Sequence, residues 1–262
     1  MTAEGADRHD LYERSVQDTE SEIDFVDQVW TERRGRLSST LREDFCGTAQ
    51  SSVEWVKRRA DSTAVGVDLD EEVVAWGAKQ NIDRLSEEQL ARLQVRIEDV
   101  RTVDASPVET VLAMNFSYYL FKTRKDLSVY FKHVHNGLTD DGVFCLDAYG
   151  GSESFEVMEE ERDLDGFTYV WDQAYYNPIN GDTVNKIHFR FPDGTEFTDA
   201  FIYEWRLWTL PEIQELLYEA GFSRVSVYWE GTDEDGDGDG VFTLATEGEA
   251  CAGWIAYIVA EK

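Results

Sequence analysis

Glu43 with Asp44, Asp68 and Asp99 stand at the ends of three short strand-like runs (TLRED, TAVGVD and QVRIED), and the small residues Cys46, Gly47, Thr48 and Ala49 form a turn after the first. Carboxylates at strand tips accept hydrogen bonds from ribose hydroxyls, and such charge-assisted bonds contribute roughly 1.5–3 kcal/mol each when well aligned. Small residues in the turn let backbone N–H groups come close to a ligand. Asp68 follows Gly47 by about 20 residues, the spacing at which the tip of a second strand reaches a ribose. Asp99, on the neighbouring strand, is placed for an adenine edge. The chemistry these types imply is recognition of a nucleoside.

The elements that must position them alternate between strand and helix. Leu41 to Phe45 reads as a strand, and SSVEWVKRRA has apolar residues at helical spacing. After TAVGVDLD comes the amphipathic helix LDEEVVAWGAKQNIDRL, with Trp76 expected in the core. QVRIEDV supplies a third strand and ETVLAMNFSYYLF a fourth with its loop. The helix DLSVYFKHVHNGL then leads to the strand VFCLDAYGG, which ends at Asp147 and Tyr149. In TLPEIQELLYEAGF, Thr209 is the cap, Pro211 lies in the first turn and Gly221 marks the end. VSVYWEG and AGWIAYIVAEK give two final strands. Before all of these, residues 1–39 read as a helical cap, with ESEIDFVDQVWTERR presenting Ile23, Phe25, Val26, Val29 and Trp30 on one face. Between residues 152 and 206 the alternation stops. FTYVWDQAYYNP, TVNKIHFRFPDG and EFTDAFIYEWRLW are β-branched and aromatic, and turn signals separate them, so they read as an antiparallel meander.

This pattern resembles class I S-adenosylmethionine (SAM)-dependent methyltransferases, whose first strand ends in E/D-x-G-x-G-x-G. Glu43, Phe45, Gly47 and Ala49 occupy those positions here. Phe45 and Ala49 replace glycines, and Phe45 is expected to keep the backbone off the usual path. The resemblance implies an α/β fold with a Rossmann-like seven-stranded sheet, mostly parallel with a final antiparallel strand, formed by residues 40–151 and 207–262. Residues 152–206 form a small β insertion, similar to the sheet that some amino-sugar N-methyltransferases place over the active site.

The same resemblance implies SAM as cofactor and S-adenosylhomocysteine as product. Gly47 would approach the cofactor closely, with Phe45, Cys46 and Thr48 beside it, and either Glu43 or Asp44 would hold the methionine ammonium. Asp68 and Leu69 would meet the ribose, and Asp99 and Val100 the adenine. Asn115, Phe116, Ser117 and Tyr118 would lie near the transferred methyl, and Tyr12 would act as a lid. Tyr118, Tyr149, Trp171, Tyr175, Tyr176, Tyr203, Trp205 and Arg206 are candidates for a substrate pocket, and the insertion could instead serve as a homodimer contact. The implied reaction is methyl transfer to a nitrogen or oxygen of a small molecule. No catalytic residue is assigned; Tyr118, Tyr149 and Tyr176 are candidate positioners or bases. Two alternatives remain open: a SAM-binding protein without turnover, and a nicotinamide-dependent oxidoreductase. The second fits worse, because EDFCGTAQ offers only Gly47 where a pyrophosphate wants three glycines.

The 262 residues carry 54 acids against 24 lysines and arginines, a formal charge of −30. Such a chain repels polyanions, so a nucleic-acid partner is not expected. Seven Lys against 17 Arg beside those acids is a balance associated with adaptation to high salt. No apolar run approaches the roughly 20 residues needed to cross a bilayer, and the N-terminus is polar, so a cytoplasmic location and no membrane partner are expected. Cys46, Cys145 and Cys251 lack metal-ligand spacing and read as reduced thiols. His133 and His135 point to different sides of their helix. TDEDGDGDGV partly matches a calcium loop, but Leu244 or Thr246 stands where a bidentate Glu is required. The expected reading is a solvated acidic loop and no metal.

Overall fold

A computed structural model describes residues 2–233 and 238–262. The acidic loop between the last strands, considered above for calcium, lies in part outside the described residues. Two helices come first, α1 (Arg8–Val16) and α2 (Thr19–Arg34). The chain then alternates through β1 (Thr40–Asp44), α3 (Gln50–Arg58), β2 (Thr63–Asp68), α4 (Glu71–Gln80), α5 (Glu87–Leu90), β3 (Leu93–Ile97), β4 (Val108–Ala113), α6 (Arg124–Gly137) and β5 (Leu138–Gly150). A meander follows, of β6 (Met158–Leu164), β7 (Phe167–Tyr176), β8 (Asp182–Arg190) and β9 (Glu196–Arg206). The chain ends with α7 (Leu210–Ala220), β10 (Arg224–Thr232), β11 (Gly238–Ala245) and β12 (Trp254–Glu261).

Among the described residues the main sheet has eight strands, ordered β11-β10-β12-β5-β4-β1-β2-β3. Strands β1 to β5 run parallel, and β12 inserts antiparallel between β5 and β10. The mostly parallel sheet with its late antiparallel strand is as the sequence predicts; β11 adds an edge strand beyond the seven expected. The meander is a separate four-stranded antiparallel sheet, β6-β7-β8-β9. From β1 the chain first builds outward through β2 and β3, then crosses to β4 on the other side. The crevice at the carboxyl ends of β1 and β4 is therefore the switch point where open α/β sheets bind ligands.

The core divides by sheet face. On one side Tyr118, Tyr130, Phe131, Phe144 and Leu216 are fully buried, and on the other Trp30 and Trp55 pack with Val26 and Val29 of α2. A third cluster joins Leu11 of α1 to Phe167, Ile187 and Phe189 of the small sheet, so α1 belongs to the insertion as much as to the cap. Trp76 is half-buried rather than in the core. Its indole N–H donates to Asp7 at 2.7 Å, while the same Asp7 caps α1 by accepting from the N–H groups of His9 and Asp10. Among the described residues no helix is long and apolar enough to cross a membrane.

Candidate functional site

The turn after β1 lies flat on its neighbours because two glycines make room for it. A Cβ on Gly66 of β2 would meet Cys46 Sγ at 2.9 Å, and one on Gly77 of α4 would meet the Thr48 carbonyl oxygen at 2.4 Å. Gly77→Ala is therefore expected to destabilise the chain by about 1–3 kcal/mol through overpacking. Thermal melts check this; a variant at least as stable as the wild type would mean the turn yields without cost, since Ala gains up to about 1 kcal/mol of helix propensity over Gly. Within the turn, Phe45, Gly47 and Ala49 all have positive φ, at 59°, 50° and 61°. Phe45 adopts the left-handed conformation, and its ring packs 5.5 Å from Tyr130 and 6.0 Å from Phe121.

Asp68 binds the turn directly. One of its oxygens accepts from Gly47 N–H at 2.8 Å and the other from Asp70 N–H at 2.9 Å, which fixes the carboxylate at the mouth of the crevice. Around it opens a cleft of about 470 Å³ lined by Tyr12, Phe45, Cys46, Gly47, Thr48, Asp68, Asn115 and Ser117, all of them residues the sequence singles out. Arg8, His9, Gln17, Val73 and Phe201 also line it, with Asp70 and the Asp199, Ala200 and Ile202 stretch of β9. His9 packs between Trp76 and Phe201, and burial, then the adjacent Arg8 charge, hold it below the ordinary histidine range.

A second cleft of about 830 Å³ adjoins the first and shares Tyr12 and Asn115 with it. Its walls include Phe116, Tyr149, Trp171, Tyr203 and Trp205. Tyr203 and Trp205 stack at 4.5 Å, and Phe116 packs 4.8 Å from Tyr149, so the loop after β4 and the insertion form one aromatic surface. Asn115 and Phe116 both have positive φ and donate their N–H groups to the Asp147 carboxylate at 2.7 and 2.9 Å. Burial pushes Asp147 up to about 7, against the pull of those two bonds.

Other expected residues lie elsewhere. Glu43 lines neither cleft; it accepts from Ser52 N–H and Oγ at 2.8 and 2.5 Å and so pins the start of α3, and burial pushes it up to about 7. Asp44 faces away, in a buried pair with Arg42 at 2.8 and 2.9 Å that Tyr130 completes. Asp99 is gripped by the Arg101 guanidinium, whose hydrogen bonds, the shortest at 2.6 Å, hold the carboxyl below its usual range; Val100 is in the core and Leu69 is exposed. Tyr118 is fully buried, donates to the Asp147 carbonyl at 2.6 Å and lines neither cleft. Tyr175 is exposed, Tyr176 packs against the core, and Arg206 pairs with Glu212 over the Trp208 ring. Of the three candidate tyrosine bases only Tyr149 reaches a cleft. Burial pushes it up to about 12, so it serves as a neutral hydroxyl that accepts from Asn185 at 3.2 Å. The sequence reading missed Arg8, His9 and Phe201, and also Glu22 on α2, which lines the second cleft.

No protein-family model and no curated protein sequence matches the chain. Solved structures do. A SAM-dependent methyltransferase from Clostridium acetobutylicum superposes with a TM-score of 0.68 at 18% identity, covering 96% of each chain. SAM-bound CalS10, an amino pentose methyltransferase from Micromonospora echinaspora, gives 0.67 at 16% over 97% of this chain and 95% of its own. The sugar N-methyltransferase KedS8 from Streptoalloteichus gives 0.65 at 18% over 98% and 93%. The chain therefore has the fold of class I SAM-dependent methyltransferases. At these identities the likeness defines that fold.

Proposed function

We propose that this chain transfers a methyl group from SAM to a nitrogen or oxygen nucleophile of a small molecule, leaving S-adenosylhomocysteine. The observation that carries this reading is the junction of two clefts at Tyr12 and Asn115, one bounded by the small-residue turn and Asp68, the other walled by aromatic rings. Thr48 Oγ1 and Gln17 Oε1 line the first cleft, buried and without a hydrogen-bond partner among the described residues, as suits a polar ligand there. Two of the similar structures are named for an amino pentose and a sugar acceptor, in keeping with a small polar molecule over the insertion.

When bound, SAM supplies an electrophilic methyl on sulfonium. Asp68 and the Gly47 turn hold the adenosyl part, Asn115 and Ser117 flank the junction, and Tyr149, Trp171, Tyr203 and Trp205 orient the acceptor and exclude water. Positioning of this kind can lower a barrier by roughly 7–11 kcal/mol without a specialised catalyst. Incubation with methyl-labelled SAM and a panel of amines, hydroxy acids and amino sugars is expected to give a labelled product. SAM binding with no product across the panel would leave a binding protein in its place.

A further inference from the structure

Glu22 lies on the apolar side of α2, 6% exposed, and is one of the residues that line the aromatic cleft. One oxygen accepts from Ser51 Oγ at 3.1 Å, and the carboxylate has no other hydrogen bond among the described residues. A buried carboxylate with spare acceptor capacity is costly unless something pairs with it. The same cleft is lined by the aromatic rings of Tyr149, Trp171, Tyr203 and Trp205, and aromatic π systems attract cations. Among the described residues Arg162 brings the one guanidinium in this lining, and it is committed to the Ser15 carbonyl and the Tyr169 ring.

We propose that Glu22 is the counterion that selects an acceptor bearing an ammonium group, which it seats against the aromatic wall of the second cleft. This rests on the methyl-transfer reading above and narrows its acceptor to molecules that carry an ammonium group. A protonated nitrogen has no lone pair, so the ammonium is the group recognised and the methyl goes to a nucleophile beside it. The groups facing Glu22 are Tyr12 on α1, Asp18 at the start of α2, Glu43 on β1, Ser51 on α3, Asp147 on β5 and Tyr257 on β12. The titratable ones are acids and phenols. Burial, then the charges of Glu43 and Asp147, push Glu22 up to about 8. At pH 7 it is therefore mostly protonated in the free chain. An arriving ammonium favours the carboxylate, so the O–H bond breaks, its electron pair stays on the carboxylate and one proton passes to the buffer.

The probes are 2-phenylethylammonium and uncharged 2-phenylethanol, titrated into the chain saturated with S-adenosylhomocysteine and followed by tryptophan fluorescence. The wild type should bind the ammonium at least tenfold more tightly. Calorimetry in two buffers of different ionisation enthalpy should detect proton release near pH 7. Glu22→Gln keeps the shape and the Ser51 contact, and should abolish both the preference and the release while holding S-adenosylhomocysteine affinity within threefold. A wild type that does not prefer the ammonium, or a variant that still does, overturns the proposal. So does a variant that loses S-adenosylhomocysteine in equal measure, because Glu22 would then serve the cofactor's own ammonium. If S-adenosylhomocysteine does not bind the wild type, it is the methyltransferase reading that fails.

Discussion

An Asp68→Ala chain is expected to bind S-adenosylhomocysteine at least tenfold more weakly than the wild type. Two losses add. The ribose loses a carboxylate acceptor worth roughly 1.5–3 kcal/mol per bond, and the N–H groups of Gly47 and Asp70 lose the acceptor that holds the turn in place. Asp68→Asn separates the two, because an amide oxygen can still accept one of those bonds and the variant should fall in between. Calorimetric titration decides: an alanine variant with wild-type affinity removes Asp68 from the site.

The second large effect concerns stability. Arg42 and Asp44 face each other almost fully out of water, and Arg42→Met would leave Asp44 with Tyr130 as its one remaining side-chain hydrogen-bond partner among the described residues. Breaking a buried pair from one side costs about 3–5 kcal/mol. In a chain of this size that lowers Tm by roughly 10 °C, since each kcal/mol shifts it by about 2–4 °C. Arg42→Met with Asp44→Leu should recover much of the loss, because an apolar pair of similar volume carries no unpaired charge. Melts in which the double variant is no more stable than the single one would show that the cost arises from packing, for instance against Gly137, where a Cβ would lie 2.9 Å from Arg42 Nη1.

Much of the lining of the first cleft was legible because its parts are local. The strand, turn and helix around Gly47 announce themselves by residue size and periodicity, and Asp68 by its distance along the chain. The aromatic insertion is legible from its turn signals. Asp99 has a partner that the sequence reading did not weigh: Arg101 stands two residues on, close enough to occupy the carboxylate. Glu43 and Asp44 could not be told apart by spacing, and the pleat of β1 sends them to opposite faces, each into a structural role. Arg8, His9 and Phe201 come from segments that meet only through tertiary closure, so no local pattern contains them. Glu22 did leave a signal. It precedes Val26 and Val29 by four and seven positions, a carboxylate on the stripe α2 turns inward.

The left-handed residues of the turn after β1 bear on the proposed ligand. Phe45 and Ala49 accept a backbone conformation that costs a residue with a Cβ about 1–2 kcal/mol, whereas glycine would adopt it freely. Glycine, however, would also leave the bend many other shapes, and each must be given up when a ligand arrives. A phenylalanine locked among aromatic rings and a buried alanine restrict that freedom in advance. The bend thus trades folding stability for preorganisation, and its amides meet a nucleoside with less entropy left to lose.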